Sequence, residues 1–377
     1  MKKTLLVTID FPPMIGGVAN YWANLCKNLS AKDLVVLASK DNNSSNFDIH
    51  QEYLIYRKNL IAKSKWLWPK WLPLFWYTWK IIKKEKIKKV IVAHVLPTGS
   101  VLYILKKIFK IPYIVSFHGL DLANTQVEAK KRTMLKLICR NADGLIANSN
   151  YTKNLLHKLT QKKYPVEIIY PCPNFTYQEI SEQSLSSFKS KHGLENKKVL
   201  LTVGRLVKRK GHDFVLKSLP QVIKSVPNII YLIVGSGPEL ENLKKLVQIL
   251  DLNNIVRFCS DVQDAEIPLY FSSADLFVMP SRQLADGDVE GFGIVYLEAN
   301  SYALPVIAGR SGGAIEAVEN EVNGLLVGPE NEQEIAESII ELFQNSQKAK
   351  KFGFQGSERV KKMFTWIQQT NKLKKII

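Results

Sequence analysis

No stretch of this 377-residue chain reaches the ~18 consecutive uncharged apolar residues of a membrane-spanning helix. The four cysteines, Cys26, Cys139, Cys172 and Cys259, stand far apart, without a C-x-x-C pair. That excludes a cysteine metal cluster and a disulfide framework, and suits a reducing cytoplasm. There is no short internal repeat and no low-complexity tract. The apolar run after Met1-Lys2-Lys3 is too short for a signal peptide and ends at Asp10, so it reads as a first strand. Acidic residues are scarce in one half only. Residues 1–180 hold 28 Lys and Arg against 11 Asp and Glu, a net of +17, whereas residues 181–377 hold 24 against 23, a net of +1. A basic half beside a neutral one points to an anionic partner for the first half, either nucleic acid or an anionic lipid surface.

What is present is ordinary soluble composition, 46% hydrophobic and 23% charged, at a length suited to two domains. Apolar runs at Thr4–Ile9, Leu34–Ala38, Val90–Ala93, Tyr113–Phe117, Gly144–Ala147 and Val166–Ile169 alternate with helical stretches such as Val18–Leu29 and Lys130–Arg140. The second half repeats this at Val199–Val203, Ile229–Val234, Ile255–Phe258, Leu276–Met279, Val306–Ala308 and Gly324–Val327. Strands alternating with helices predict parallel sheets with right-handed crossovers. Two doubly wound α/β domains follow, 1–178 and 179–359, the link falling in the Pro- and Ser-rich stretch from Pro171 to Ser187. Ligands of such sheets bind at the carboxyl ends of the strands.

The loops after those strands carry the chemistry. Gly204-Arg205-Leu206-Val207-Lys208-Arg209-Lys210-Gly211 offers cations. Glu290-Gly291-Phe292-Gly293-Ile294-Val295-Tyr296-Leu297-Glu298 offers two carboxylates around a glycine turn that opens a helix, with Glu298 one turn in on the face of Ile294. Cations and helix-start amides suit a diphosphate; fixed carboxylates suit ribose and sugar hydroxyls. Gly16-Gly17 stands at another helix mouth, after Asp10-Phe11-Pro12-Pro13. Phe117-His118-Gly119-Leu120-Asp121 follows the Tyr113–Phe117 run, and Asp121 could instead cap the next helix. Ser149 reads equally as an N-cap. Gly235-Ser236-Gly237-Pro238 lacks the further glycine of a dinucleotide fingerprint.

These motifs resemble retaining glycosyltransferases of family four. The resemblance rests on the E-x7-E pair Glu290 and Glu298, on Arg205 with Lys210, on Gly16-Gly17, and on the H-G-x-D segment at His118. It covers nearly the whole chain, least around residues 40–90. It implies the GT-B fold: two Rossmann-like domains facing a deep cleft, the last helix (360–377) crossing back to the first domain through Trp366. It implies transfer of a hexose from a nucleotide-diphosphate sugar to a lipid-linked or glycan acceptor, with no covalent nucleophile. Implied catalytic residues are His118, Glu290, Arg205 and Lys210. Donor-binding positions are Gly16, Gly17, Gly204, Gly235, Val262, Phe292, Gly293, Ile294 and Glu298. Lys208 and Arg209 do not match the family pair and read as facing water. Ser260 replaces the glycine of the family's Phe-x-Gly segment, and Ala303 another family glycine. No cofactor is implied. Asp286-Gly287-Asp288 looks like a D-x-D metal motif but reads as the loop before Glu290, so no metal is expected. The segments Asp288–Glu298 and Val306–Gly313 look particularly like those of phosphatidylinositol mannosyltransferases, which makes GDP-mannose the first donor and a UDP-sugar the second.

Residues 66–80 hold five of the seven tryptophans, followed by Lys83-Lys84-Glu85-Lys86. Tryptophan with lysine suits a headgroup layer, so Trp66, Trp68, Trp71 and Asp121 are assigned to the acceptor and membrane side, with the enzyme peripheral on the inner face of the cytoplasmic membrane. The competing reading packs those rings into the core. A nucleic-acid-binding protein is a rival, but no aromatic-basic nucleic-acid motif lies on a sheet face. An inactive sugar-binding module is a second rival, and the intact set Glu290, Glu298, Arg205 and Lys210 speaks against it.

Overall fold

The computed structural model describes the chain except for residues 1, 15, 42, 64–67 and 127. The described residues form thirteen strands: β1 Thr4–Thr8, β2 Leu34–Ser39, β3 Leu54–Lys58, β4 Lys89–Val92, β5 Tyr113–Phe117, β6 Gly144–Ala147, β7 Glu167–Ile168, β8 Lys198–Val203, β9 Ile229–Val234, β10 Val256–Cys259, β11 Leu276–Met279, β12 Val306–Gly309 and β13 Gly324–Val327. They build a sheet ordered β3-β2-β1-β4-β5-β6-β7 and a second ordered β10-β9-β8-β11-β12-β13. Every strand pairing is parallel. All twelve apolar runs become strands. β3 is the addition, and its pattern explains why it was missed. Leu54-Ile55-Tyr56-Arg57-Lys58 forms an edge strand with no fully buried position, so it needs no apolar run.

The two sheets belong to separate compact units, one of residues 1–171 with 366–377, the other of 172–365. The sequence boundaries at 178 and 360 both fall inside the second unit. At the first, the amide of Asn174 donates to Glu298 Oε1 (3.1 Å) and the Tyr302 hydroxyl to the Thr176 carbonyl (3.0 Å). At the second, helix Ser346–Met363 runs through residue 360, and Phe364 is buried against Phe292 (ring centroids 5.7 Å).

Helix Trp366–Ile376 then belongs to the first unit. Leu373 is fully buried with Tyr21, Trp22 and Leu25, and Trp366 packs on that cluster 6.1 Å from the Tyr21 ring. Gln369 Oε1 accepts from the Tyr170 amide (3.0 Å), and Lys89 Nζ donates to the Ile376 carbonyl (2.7 Å). The expected return of the last helix to the first domain is therefore present, with Trp366 as one of its anchors.

Candidate functional site

In the second unit, β8 delivers the basic loop and β11 delivers the Glu290 loop, and these strands are neighbours. The basic loop is fixed from below. Leu206 is fully buried, its amide donates to the Ser236 carbonyl (2.9 Å), and its own carbonyl accepts from Glu239 (3.0 Å). Gly235 makes this closure possible: at φ 133° it lies where a Cβ would come 2.2 Å from the Gly204 carbonyl oxygen. Gly235 thus holds two strand-end loops together, a packing reason for the glycine that needs no ligand.

Lys210 Nζ sits 2.5 Å from Glu290 Oε2, and Arg209 Nη1 sits 2.6 Å from the same oxygen. Arg209 Nε also reaches Asp288 Oδ1 at 3.3 Å. Arg209 therefore does not face water, correcting the sequence reading; only Lys208 and Arg205 are exposed. Burial alone would raise the Glu290 carboxyl, but Lys210 and Arg209 outweigh it and hold the group down at about 2. Burial pushes the Lys210 ammonium below the ordinary lysine range despite Glu290. The Asp286 carboxylate accepts the Asp288 amide (2.9 Å), so this D-x-D forms a turn. Among the described residues no group of three His, Cys, Asp or Glu is placed to hold a metal ion.

Helix Ile294–Ser301 starts at Gly293, φ 91°, where a Cβ would meet the Tyr296 ring at 2.3 Å. The amides of Ile294 and Val295 open the helix without intrahelical partners, whereas that of Tyr296 donates back to the Gly293 carbonyl (3.1 Å). Glu290 precedes that turn, its carbonyl accepting from Gly313 (2.8 Å). The Phe292 side chain is 2% exposed in the core, so Phe292 can meet a ligand only through its backbone. Val262 is half-buried in the loop after β10.

Glu298 is buried, and burial raises its carboxyl to about 7 although the Asn174 and Phe175 amides favour the ionised form. A raised native pKa means that the folded protein holds a proton which the unfolded chain releases above about 4.5. Stability should then fall as pH rises from that value through 7, by on the order of 3 kcal/mol. Glu298→Gln keeps an oxygen for the Asn174 amide and should flatten this slope. Urea unfolding at pH 5 and 7.5 checks it, and an unchanged slope removes the assignment.

In the first unit, His118 follows β5. Its Nε2 shares a hydrogen bond with Ser116 Oγ (3.1 Å), and its ring stacks edge-on with Tyr21 at 5.1 Å. Burial, helped by His94, pushes its pKa to about 3, so the imidazole is neutral at physiological pH. Asp121 Oδ1 accepts the amides of His118 and Leu122, both at 3.0 Å. This carboxylate ties the turn, and burial raises its pKa. Ser149 caps helix Asn150–Thr160 by accepting from Thr152 (3.0 Å). Around Gly16 and Gly17 a Cβ would meet nothing within 4 Å among the described residues, so close packing with these does not require the glycines.

The tryptophan segment divides. Helix Leu72–Lys84 buries Leu74, Ile81 and Ile82, and Trp71, Phe75 and Trp79 pack against the same core. Trp71, half-buried, is thus at least partly a packing residue. Trp68 is 85% exposed, Trp76 54% and Leu72 41%. Trp66 lies outside the described residues. Arg209, His94 and Asp10 have no motif that marks them as site residues; only their positions after strands could have flagged them.

Residues 186–359 match the glycosyl transferases group 1, and residues 15–174 match Glycosyltransferase Family 4. The chain is 30% identical to a GDP-mannose-dependent monoacylated alpha-(1-6)-phosphatidylinositol monomannoside mannosyltransferase of Corynebacterium glutamicum, over 100% of this chain and 98% of that one. It is 28% identical to a GDP-mannose-dependent alpha-(1-6)-phosphatidylinositol monomannoside mannosyltransferase of Mycolicibacterium smegmatis, over 99% and 97%. Among solved structures, Anabaena Alr3699/HepE in complex with UDP and glucose shares the fold at TM-score 0.82 and 21% identity, covering 100% of this chain and 99% of that one. The architecture is GT-B, and the chain belongs to the family-four glycosyltransferases.

Proposed function

We propose that this glycosyltransferase moves a hexose, mannose before others, from a nucleoside diphosphate sugar to a lipid-linked or glycan acceptor of the cell envelope. Transfer proceeds with retention and without a metal ion. The observation that carries this reading is the Lys210–Glu290–Arg209 cluster at the strand ends of the second unit, beside a helix N-terminus. Lys210 and Arg205 neutralise the departing diphosphate, and the amides at Gly293 and Ile294 add the field of the helix start. Glu290, already ionised, holds sugar hydroxyls, and Glu298 takes the ribose. His118, being neutral, donates or accepts at the sugar without attracting the diphosphate. The acceptor oxygen enters on the face the diphosphate leaves, so no protein nucleophile is needed.

GDP-mannose ranks first because the full-length relatives are named as GDP-mannose-dependent; a UDP-sugar ranks second. Incubating the purified protein with GDP-mannose, UDP-glucose, UDP-galactose and UDP-N-acetylglucosamine should show fastest cleavage of GDP-mannose, unchanged in excess EDTA. Cleavage of none sinks the transferase reading, and loss in EDTA reopens Asp286 and Asp288 as metal ligands.

The membrane reading rests on the net charge of +17 in residues 1–180 and on the exposed Trp68, Leu72 and Trp76. Ile108 and Phe109, at the end of helix Ser100–Phe109, are also exposed, and the Phe109 ring lies 6.0 Å from Trp79. Lys80, Lys83, Lys84, Lys107 and Lys110 surround them in the sequence and are exposed. Exposed rings among lysines fit an anionic lipid surface on the inner leaflet.

A further inference from the structure

Three strands adjacent in the first sheet, β1, β4 and β5, lead into Asp10, His94 and His118. All run parallel, so the three side chains share the carboxyl edge of that sheet. His118 has its place in the reading above; Asp10 and His94 have none. They are paired to each other. His94 Nε2 lies 3.1 Å from Asp10 Oδ2, and the Asp10 side chain is 40% exposed while that of His94 is 14% exposed. The Asp10 carbonyl accepts from Thr8 Oγ1 (2.7 Å), and the amide of Ala93, next to His94, donates to the Val7 carbonyl (3.0 Å). The backbone on both sides of the pair is therefore fixed by the sheet. His94 Nδ1 is buried and has no hydrogen-bond partner among the described residues. A proton there would be a buried orphan donor, so the ring carries its hydrogen on Nε2 and directs it at the carboxylate.

The result is a carboxylate held from behind and open in front, on the loop that leads to Gly16 and Gly17, where an added Cβ would meet none of the described residues within 4 Å. Resting on the transferase reading, we propose that Asp10 recognises the acceptor, accepting a hydrogen bond from a hydroxyl of a neutral polyol ring, with His94 as its positioning residue. The hydrogen bond from His94 lowers the Asp10 pKa, which makes the carboxylate a poor proton acceptor but a permanent hydrogen-bond acceptor. It orients the hydroxyl rather than deprotonating it. A fixed negative charge also turns a phosphate away from this point, so a phospholipid-linked acceptor must present its ring here and its phosphate elsewhere.

The test uses the whole protein, GDP-mannose, and a crude lysate of gene-deleted cells as the source of unmodified acceptor. Asp10→Asn should raise the lysate concentration giving half-maximal transfer about tenfold or more. Its melting temperature, its GDP-mannose KM and its acceptor-free hydrolysis of GDP-mannose should stay unchanged. His94→Phe fills the same space without the N–H and should behave like Asp10→Asn. His94→Gln keeps an N–H donor and should recover much of the lost acceptor affinity, which a purely structural His94 would not allow. Unchanged half-saturation in Asp10→Asn overturns the proposal. So does parallel loss of hydrolysis and transfer in a folded variant, which would assign Asp10 to the donor. Wild-type protein that cleaves no nucleotide sugar indicts the transferase reading instead.

Discussion

Lys210→Ala is expected to reduce sugar transfer by about two orders of magnitude or more, the scale of removing one preorganised charge from a developing anion. The same change should lower stability, because Glu290 would keep only Arg209 against its burial. Arg205→Ala separates the two effects. Arg205 is exposed and makes no ion pair among the described residues, so its loss should impair transfer comparably while leaving the melting temperature in place. Steady-state kinetics on GDP-mannose with a thermal melt of each variant checks both. Full activity in either variant removes the diphosphate assignment. Glu290→Gln should impair transfer more than nucleotide binding, since its carboxylate is assigned to the sugar and not to the diphosphate. Equal loss of both would make it a structural residue.

Much of the fold was legible because parallel strands buried on both faces must be apolar throughout. Leu276–Met279 and Val306–Gly309 are wholly buried and read directly from the sequence. β3 was not legible because an edge strand is half wet and can carry Tyr56, Arg57 and Lys58. The cation loop and the Glu290 turn were legible as motifs, but their pairing was not. Arg209 and Lys210 are neighbours in sequence, and nothing in the spacing says that both converge on one carboxylate 80 residues away. Glu298 shows the same limit, since its raised pKa comes from burial that a helix position alone does not reveal. In the tryptophan segment, density and lysines suggested one environment, whereas the helix Leu72–Lys84 has two sides. Trp71 and Trp79 pack inward while Trp68 and Trp76 stay in solvent.

That division fixes the second large effect. The triple replacement Trp68→Ser, Leu72→Ser and Trp76→Ser should cut binding to phosphatidylglycerol vesicles by about two orders of magnitude, or about 2.7 kcal/mol. Full burial of two indoles and a leucine would exceed this, but interfacial rings bury only in part. Each lysine near the surface adds about 1 kcal/mol that salt can screen. The wild type should therefore sediment with anionic vesicles, bind neutral ones weakly, and be released only partly by salt; the triple variant should be released fully. Its melting temperature should hold, because none of the three side chains is buried. Trp71→Ser is the contrast, since Trp71 packs against the first-unit core and its loss should cost stability more than vesicle binding. Unchanged sedimentation of a folded triple variant would leave the basic surface to carry the association. A triple variant that unfolds would mean that these rings, too, serve the core.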